Sequence, residues 1–236
     1  LVQDQREVTG FLCDPHTYRS AGPVEVIETH ISRIFLVGSR AYKLKRAVKL
    51  PYADFSTPER RLATCRNEVE LNSPTAPGLY LGVRRSTRDG AGALAFDGSG
   101  ELVDAVVEMA RFDQAALFDR MAVEGGLSPP LMASVAHMIA AFHRNAPVVH
   151  ASNGSANIAG VLAINEAGFA TSSVFPEAEV AELAALFRST LERHAALLDA
   201  REARGRVRRC HGDLHLRNIC LLEGQPRLFD CIEFNE

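Results

Sequence analysis

Residues 210–236 read CHGDLHLRNICLLEGQPRLFDCIEFNE, and this stretch carries the densest chemistry in the chain. Its polar skeleton is His211, Asp213, Asn218 and Asp230. Asp213 and Asn218 stand on a turn that enters an apolar run, Ile219 to Leu222. Glu223-Gly224-Gln225-Pro226 is a turn signal, and a second short run, Leu228–Phe229, leads to Asp230. A short hairpin sets the end of one strand beside the start of the other. Asn218 and Asp230 are therefore expected side by side, with Asp213 just above them. Two carboxylates and an amide oxygen form a hard donor set of the kind Mg²⁺ takes. Phosphoryl transfer from ATP needs this combination: one carboxylate to orient the acceptor hydroxyl, the other two groups to hold metal on the phosphates.

His211, Asp213 and His215 also invite a zinc reading. Positions i, i+2 and i+4 share a face only on a strand, whereas Gly212 and its polar surroundings indicate a loop, and no further histidine cluster completes a ligand set. His211 reads better as a brace of the loop.

Upstream, the first third is rich in strand signals. Val24–Glu28, Ile34–Val37 and Ala41–Lys45 are expected strands, the last two joined by a turn at Gly38-Ser39-Arg40. Ser56 or Thr57 caps a helix that begins at Pro58 and carries Leu62, Cys65 and Val69 at helical spacing. Strands resume at Leu79–Val83, Ala93–Phe96 and Leu102–Met109, separated by STRDGAG and DGSGE, both turn-rich. Beyond Met109 the pattern turns helical: Gln114–Val123, a helix through Leu131, Val135, Met138 and Phe142, and a long one from Val180 to Leu198. Residues 144–176 show little pattern and are expected to hold a loop with one short helix. The division falls near Ala110, giving a β-rich lobe over 1–109 with one helix and a helical lobe over 110–236 that carries the catalytic loop.

The composition is that of a globular chain: 236 residues, 47% apolar, 23% charged, net charge −3. That balance argues against nucleic-acid binding through bulk charge. No run is long and apolar enough to span a membrane, and residues 1–15 lack the pattern of a secretory signal. Five scattered cysteines without a Cys-x-x-Cys pair suit a reducing, cytoplasmic setting. The run REARGRVRR (201–209) reads as a solvated helix end.

HGDLHLRN, with LFDCIEF after it, resembles the catalytic loop and metal-binding Asp of the aminoglycoside phosphotransferase family, a branch of the protein-kinase-like fold. ETHISRIFLVGSRAYKLKRAV, DFSTPERR, CRNEVELN and LYLGV resemble a bacterial subgroup of uncharacterised members, some fused to a C-terminal ATP-binding domain. The resemblance implies an α+β, two-lobed kinase-like fold and an ATP- and Mg²⁺-dependent transfer to a hydroxyl of a small molecule. By this resemblance Asp213 is the catalytic Asp, and Asn218 and Asp230 are the metal ligands.

The same resemblance calls for a strand lysine on the phosphates and a helix Glu that positions it. Lys43 and Lys45 lie on one strand face, with Lys43 the closer match to the pattern; Glu68 is the expected partner and Glu70 the reserve. Backbone of Val107-Glu108-Met109-Ala110 is expected to meet adenine, through Glu108 carbonyl and the Met109 or Ala110 amide. The kinase Gly-rich loop is absent, and Ser32 in ETHISRIF is the residue expected at phosphate. Glu233 and Glu236 follow the metal Asp closely enough to assist it or to lie on the surface.

Family enzymes continue with further helices beyond the metal Asp, whereas this chain stops six residues later, so the helical lobe is expected to be incomplete. A catalytically silent nucleotide-binding regulatory module is the alternative function. The acceptor is not legible in the sequence.

Overall fold

The computed structural model describes residues 3–50, 52–150 and 153–233. Its centre is a six-stranded antiparallel sheet. In chain order the elements that build it are helix α1 (Arg6–Cys13), strands β1 (Glu25–Glu28), β2 (Ser32–Val37) and β3 (Arg40–Lys45), a small hairpin β4 (Lys49–Leu50) and β5 (Ala53–Asp54), helix α2 (Pro58–Asn72), and strands β6 (Tyr80–Arg88), β7 (Leu94–Phe96) and β8 (Glu101–Ala110). The sheet order is β1-β2-β3-β8-β6-β7.

The alternation of side chains along β2, β3 and β8 sorts them between two cores. Phe35, Val37, Tyr42, Leu44 and Val106 pack with Val8 and Leu12 of α1 on one face. Leu36, Ala41, Ala105, Val107 and Met109 pack with Cys65 of α2 on the other. Helix α2 starts where the sequence signals it: the Thr57 side chain accepts the Arg60 N–H, and Pro58 occupies the first turn. A hairpin that includes the lysine strand, a helix, and three further strands of which β8 pairs with the lysine strand make this an α+β fold.

The segment from His211 belongs to the same compact unit as the sheet. A 3-10 turn (Leu216–Asn218) enters β9 (Ile219–Leu222), which pairs with β10 (Gln225–Leu228). Cys220, Leu222 and Phe229 join the core on the α2 face of the sheet. The second unit, 137–210, contains a hairpin of α5 (Gly154–Ala170) and α6 (Glu177–Ala203). Between β8 and α5 lie a 3-10 turn (Gln114–Ala116), α3 (Phe118–Val123) and α4 (Pro129–Asn145). Among the described residues no helix is long and apolar enough to cross a membrane.

Several local expectations change. The hairpin turn is only Glu223-Gly224, both with positive φ (52° and 72°), so Gln225 and Pro226 already belong to β10; this is the backbone that a two-residue hairpin loop favours. STRDGAG is not a turn throughout: Ser86 and Thr87 are buried in β6, and the chain reverses only beyond Arg88. Gln114–Val123 breaks at Leu117, whose extended backbone separates the 3-10 turn from α3. Residues 154–170 form one 17-residue helix, where a loop with one short helix was expected. Its apolar residues run round the whole helix, which erases the periodic signal, and its packing on α6 supplies the order that propensity does not. Helix α1 gives only two buried residues, Val8 and Leu12, one turn apart, too few to be legible as a pattern.

Candidate active site

The site begins on β3. Lys43 and Lys45 point to the α2 face, and α2 answers with Glu68, which is fully buried. Glu68 divides its carboxylate between them: Oε1 lies 2.8 Å from Lys43 Nζ and Oε2 lies 2.6 Å from Lys45 Nζ. Glu70, two residues on, is exposed on the opposite side of the helix. Lys43 also forms an ion pair with Asp230, and Lys45 one with Glu233. Burial works against the Lys43 ammonium, but Asp230 and Glu68 outweigh it and hold its pKa well above the ordinary lysine value. Lys45 is raised in the same way, chiefly by Glu68 against its burial. Burial opposes ionisation of Asp230 as well, yet Lys43 and Lys45 keep its pKa below the ordinary value. Glu233 goes the other way, raised by burial despite Lys45.

The loop from His211 brings the remaining residues to Asp230. Asn218 Nδ2 donates to the Asp213 carbonyl at 2.8 Å, to Asp213 Oδ2 at 3.2 Å and to the Asp230 carbonyl at 3.5 Å. His211 donates from Nε2 to the Phe229 carbonyl at 2.9 Å and accepts the Asp213 N–H on Nδ1 at 3.4 Å, which makes it the brace between the two limbs of the loop. Burial lowers its pKa and keeps it neutral. Gly212 has φ +82°, and a Cβ there would come within 3.0 Å of Ile232, so glycine is needed on both counts.

Asp230 itself sits at φ 61°, in the left-handed region. That conformation costs a non-glycine residue roughly 1–2 kcal/mol and persists only where surroundings over-determine it. They do so here. The Asp230 N–H donates to Tyr80 Oη at 3.0 Å, the Cys231 N–H to Asn72 Oδ1 at 3.0 Å, and the Ile232 N–H to the His211 carbonyl at 2.9 Å. Asn72 returns to its own helix by donating Nδ2 to the Glu68 carbonyl at 2.8 Å.

This donor set fits magnesium. Asn218 directs its amide nitrogen at Asp213 and Asp230, which leaves its carbonyl oxygen as the atom that would face a cation. The Asp230 side chain is 40% exposed and turns only Oδ1 to Lys43. Both are hard oxygen donors suited to that ion. The Asp213 carboxylate is 54% exposed, open to an acceptor.

Two expected contacts are placed differently. The Ala110 N–H donates to the Leu79 carbonyl at 2.8 Å and the Arg111 N–H to the Ser39 carbonyl at 2.9 Å. β8 is paired on both sides as far as Met109, so the Ala110 amide is committed to the sheet. The backbone of Phe112 and Asp113 follows the end of β8 and belongs to no strand. The Glu108 side chain lies on the far face, with Tyr42 and Arg84. Ser32 is directly across from Lys45, but it is only 1% exposed, and its hydroxyl has no hydrogen-bond partner among the described atoms. It does not present itself to an open surface.

Sequence reading did not find the roles of Asn72, Tyr80 and Glu233 in fixing the loop, nor the pairing of Lys45 with Glu233. Asn72 had one available signal, its place four residues after Glu68 on the same helix face. Glu236 lies outside the described residues.

No protein-family model matches the chain. The chain is similar to an uncharacterised protein of Mycobacterium bovis and to uncharacterised proteins from two strains of Mycobacterium tuberculosis. Each is 27% identical to it over 229 residues, covering 95% of this chain and 44% of the relative. The chain thus spans less than half the length of these curated relatives. Among solved structures it is similar to a choline/ethanolamine kinase family protein from Mesorhizobium loti, with a TM-score of 0.49 and 14% identity, over 97% of this chain and 64% of that one.

Proposed function

We propose that this protein transfers a phosphoryl group from ATP to the hydroxyl of a small molecule, with magnesium. The observation that carries the reading is the meeting of Lys43, from the early sheet, with Glu68 on one side and Asp230 on the other. A buried ammonium held between a helix carboxylate and a metal-binding carboxylate is what positions nucleotide phosphates in kinase-type transfer.

In this reading Lys43 grips phosphate oxygens while Glu68 keeps its ammonium in place. Asn218 and Asp230 hold the magnesium ion, which when bound draws charge from the phosphates. Asp213 orients the acceptor hydroxyl and takes its proton. The Ala110 carbonyl and the backbone of Phe112 and Asp113 meet adenine, and His211 keeps the two limbs of the loop in register. Five cysteines, none in a disulfide, accord with a cytoplasmic setting. The greater length of the relatives leaves room for a C-terminal ATP-binding domain, the companion we propose.

The test is Mg-ATP turnover against a panel of small alcohols, amino alcohols and sugars, with Asp213→Asn as control. The variant should lose about 10²- to 10⁴-fold in kcat and keep its ATP affinity by calorimetry within about twofold. A variant that loses only ATP affinity contradicts the role given to Asp213. Nucleotide-dependent thermal stabilisation of the wild type without turnover on any acceptor would instead assign a nucleotide-sensing module.

A further inference from the structure

The second lysine of β3 is not explained by phosphate binding. Lys45 is closed to solvent, and its ammonium is shared by Glu68 and Glu233, both buried. Burying an ion pair costs several kcal/mol of desolvation per ion, and well-packed apolar residues of similar volume serve stability at least as well. Stability therefore does not account for Lys45 and Glu233. Fixing one segment against another is the best-attested use of such a pair.

The segment in question is Asp230 to Glu233. It follows β10 and belongs to neither strand nor helix, so no ladder holds it. Its backbone is tied at Asp230, Cys231 and Ile232 to Tyr80, Asn72 and His211, and beyond Asp230 the Glu233 side chain anchors it to the sheet through Lys45. Asp230 occupies a strained left-handed conformation that these ties must enforce. Lys45 meanwhile holds the second oxygen of Glu68, which stops that carboxylate from rotating away from Lys43.

We infer that Lys45 and Glu233 form a positioning pair that docks the metal-ligand segment onto β3 and sets Asp230 and Glu68 around Lys43. The inference rests on the phosphoryl-transfer reading for its consequence, but the docking itself is measurable without catalysis. Neither residue touches substrate in this scheme; both act through Asp230 and Glu68.

Glu233→Gln, which keeps shape and removes charge, is the primary variant, with Glu233→Asp as a second that keeps charge and shortens the reach. Two readouts decide. The first is amide hydrogen exchange of the ligand-free protein. It should rise about tenfold at Cys231 and Ile232 in Glu233→Gln, with the amides of β3 and β8 unchanged. The second is Mn²⁺ binding to the complex with a non-hydrolysable ATP analogue, followed by electron paramagnetic resonance. The dissociation constant should rise about tenfold, the size expected when an outer partner of a metal ligand is lost, while affinity for the metal-free analogue stays put.

Unchanged exchange and unchanged Mn²⁺ affinity in both variants would overturn the inference. Exchange that rises throughout the sheet in both variants would also overturn it, since the pair would then be a general stabiliser. A local rise in exchange without loss of Mn²⁺ affinity, in a wild-type protein that turns over, would remove the functional consequence and overturn it as well. If the wild type neither binds Mg-ATP nor transfers phosphate, the functional reading fails by itself, and the exchange result alone decides the docking.

Discussion

Arg61 and Asp104 meet through two nitrogens and two oxygens, at 2.7 and 2.8 Å, with both side chains closed to solvent. The pair joins the first turns of α2 to the central strand β8. Arg61 also donates to the Phe55 carbonyl at 2.9 Å, and Gln5 Nε2 reaches both Asp104 Oδ2 and the Lys45 carbonyl at 2.9 Å. One buried network thus sets the height of α2 over the sheet, and with it the reach of Glu68 to β3.

Removing one partner should be costly. Asp104→Ala leaves a buried guanidinium without its carboxylate, and is expected to lower stability by about 3–5 kcal/mol. An apolar double replacement, Arg61→Met with Asp104→Leu, should recover most of that loss, because no charge is then stranded. Urea unfolding of the single and double variants measures both. A double variant as unstable as Asp104→Ala would show that the network matters through its hydrogen bonds to Phe55 and Gln5 rather than through burial of charge.

His211 makes stability depend on pH in a direction that can be worked out. Its neighbours are Asp213, Asp230 and His215, and burial, the largest influence, lowers its pKa. The unfolded chain takes up a proton near the ordinary value of about 6.5, while the native state does not until lower pH. The contribution of a neutral His211 is therefore full above about pH 6.5 and falls as acid is added, by at most about 1.4 kcal/mol per pH unit. His211→Gln, which keeps a donor for the Phe229 carbonyl, should remove that dependence. The stability difference between the two proteins, followed by denaturant titration from pH 7.5 to 5, is expected to shrink towards acid. A constant difference would count against a neutral, buried imidazole.

How much of this was legible beforehand depends on distance along the chain. The lysine strand, the Pro58 helix and the hairpin after Asn218 are local patterns, and local patterns survive translation into structure. Glu68 was readable because the family resemblance calls for a glutamate on the Pro58 helix, and Asn218 and Asp230 because a hairpin links them. The commitment of the Ala110 amide to the sheet was not legible, because nothing in Val107–Ala110 announces that β8 is paired on both sides to its end. Lys45 and Glu233 are 188 positions apart, and no local pattern points from one to the other. The length of helix α5 was missed for the opposite reason: its apolar residues face every direction, and its packing on α6 gives it order.

The five cysteines, none in a disulfide, separate into two exposed and three buried groups. Cys13 and Cys210 are exposed; Cys65, Cys220 and Cys231 are buried. Burial pushes the thiols of Cys65 and Cys220 up to about 12, so at pH 8 neither holds an appreciable thiolate, the form that attacks disulfide reagents. Treatment of the native protein with a chromogenic disulfide at pH 8 should release close to two equivalents quickly. The remaining three should appear only on unfolding, at a rate that follows the opening of the core rather than reagent concentration. Peptide mapping should place the fast label on Cys13 and Cys210. Fast labelling at Cys65 would mean that α2 lifts from the sheet in the native state, and because Glu68 stands one turn further along the same helix, the grip on Lys43 and Lys45 would have to be intermittent as well.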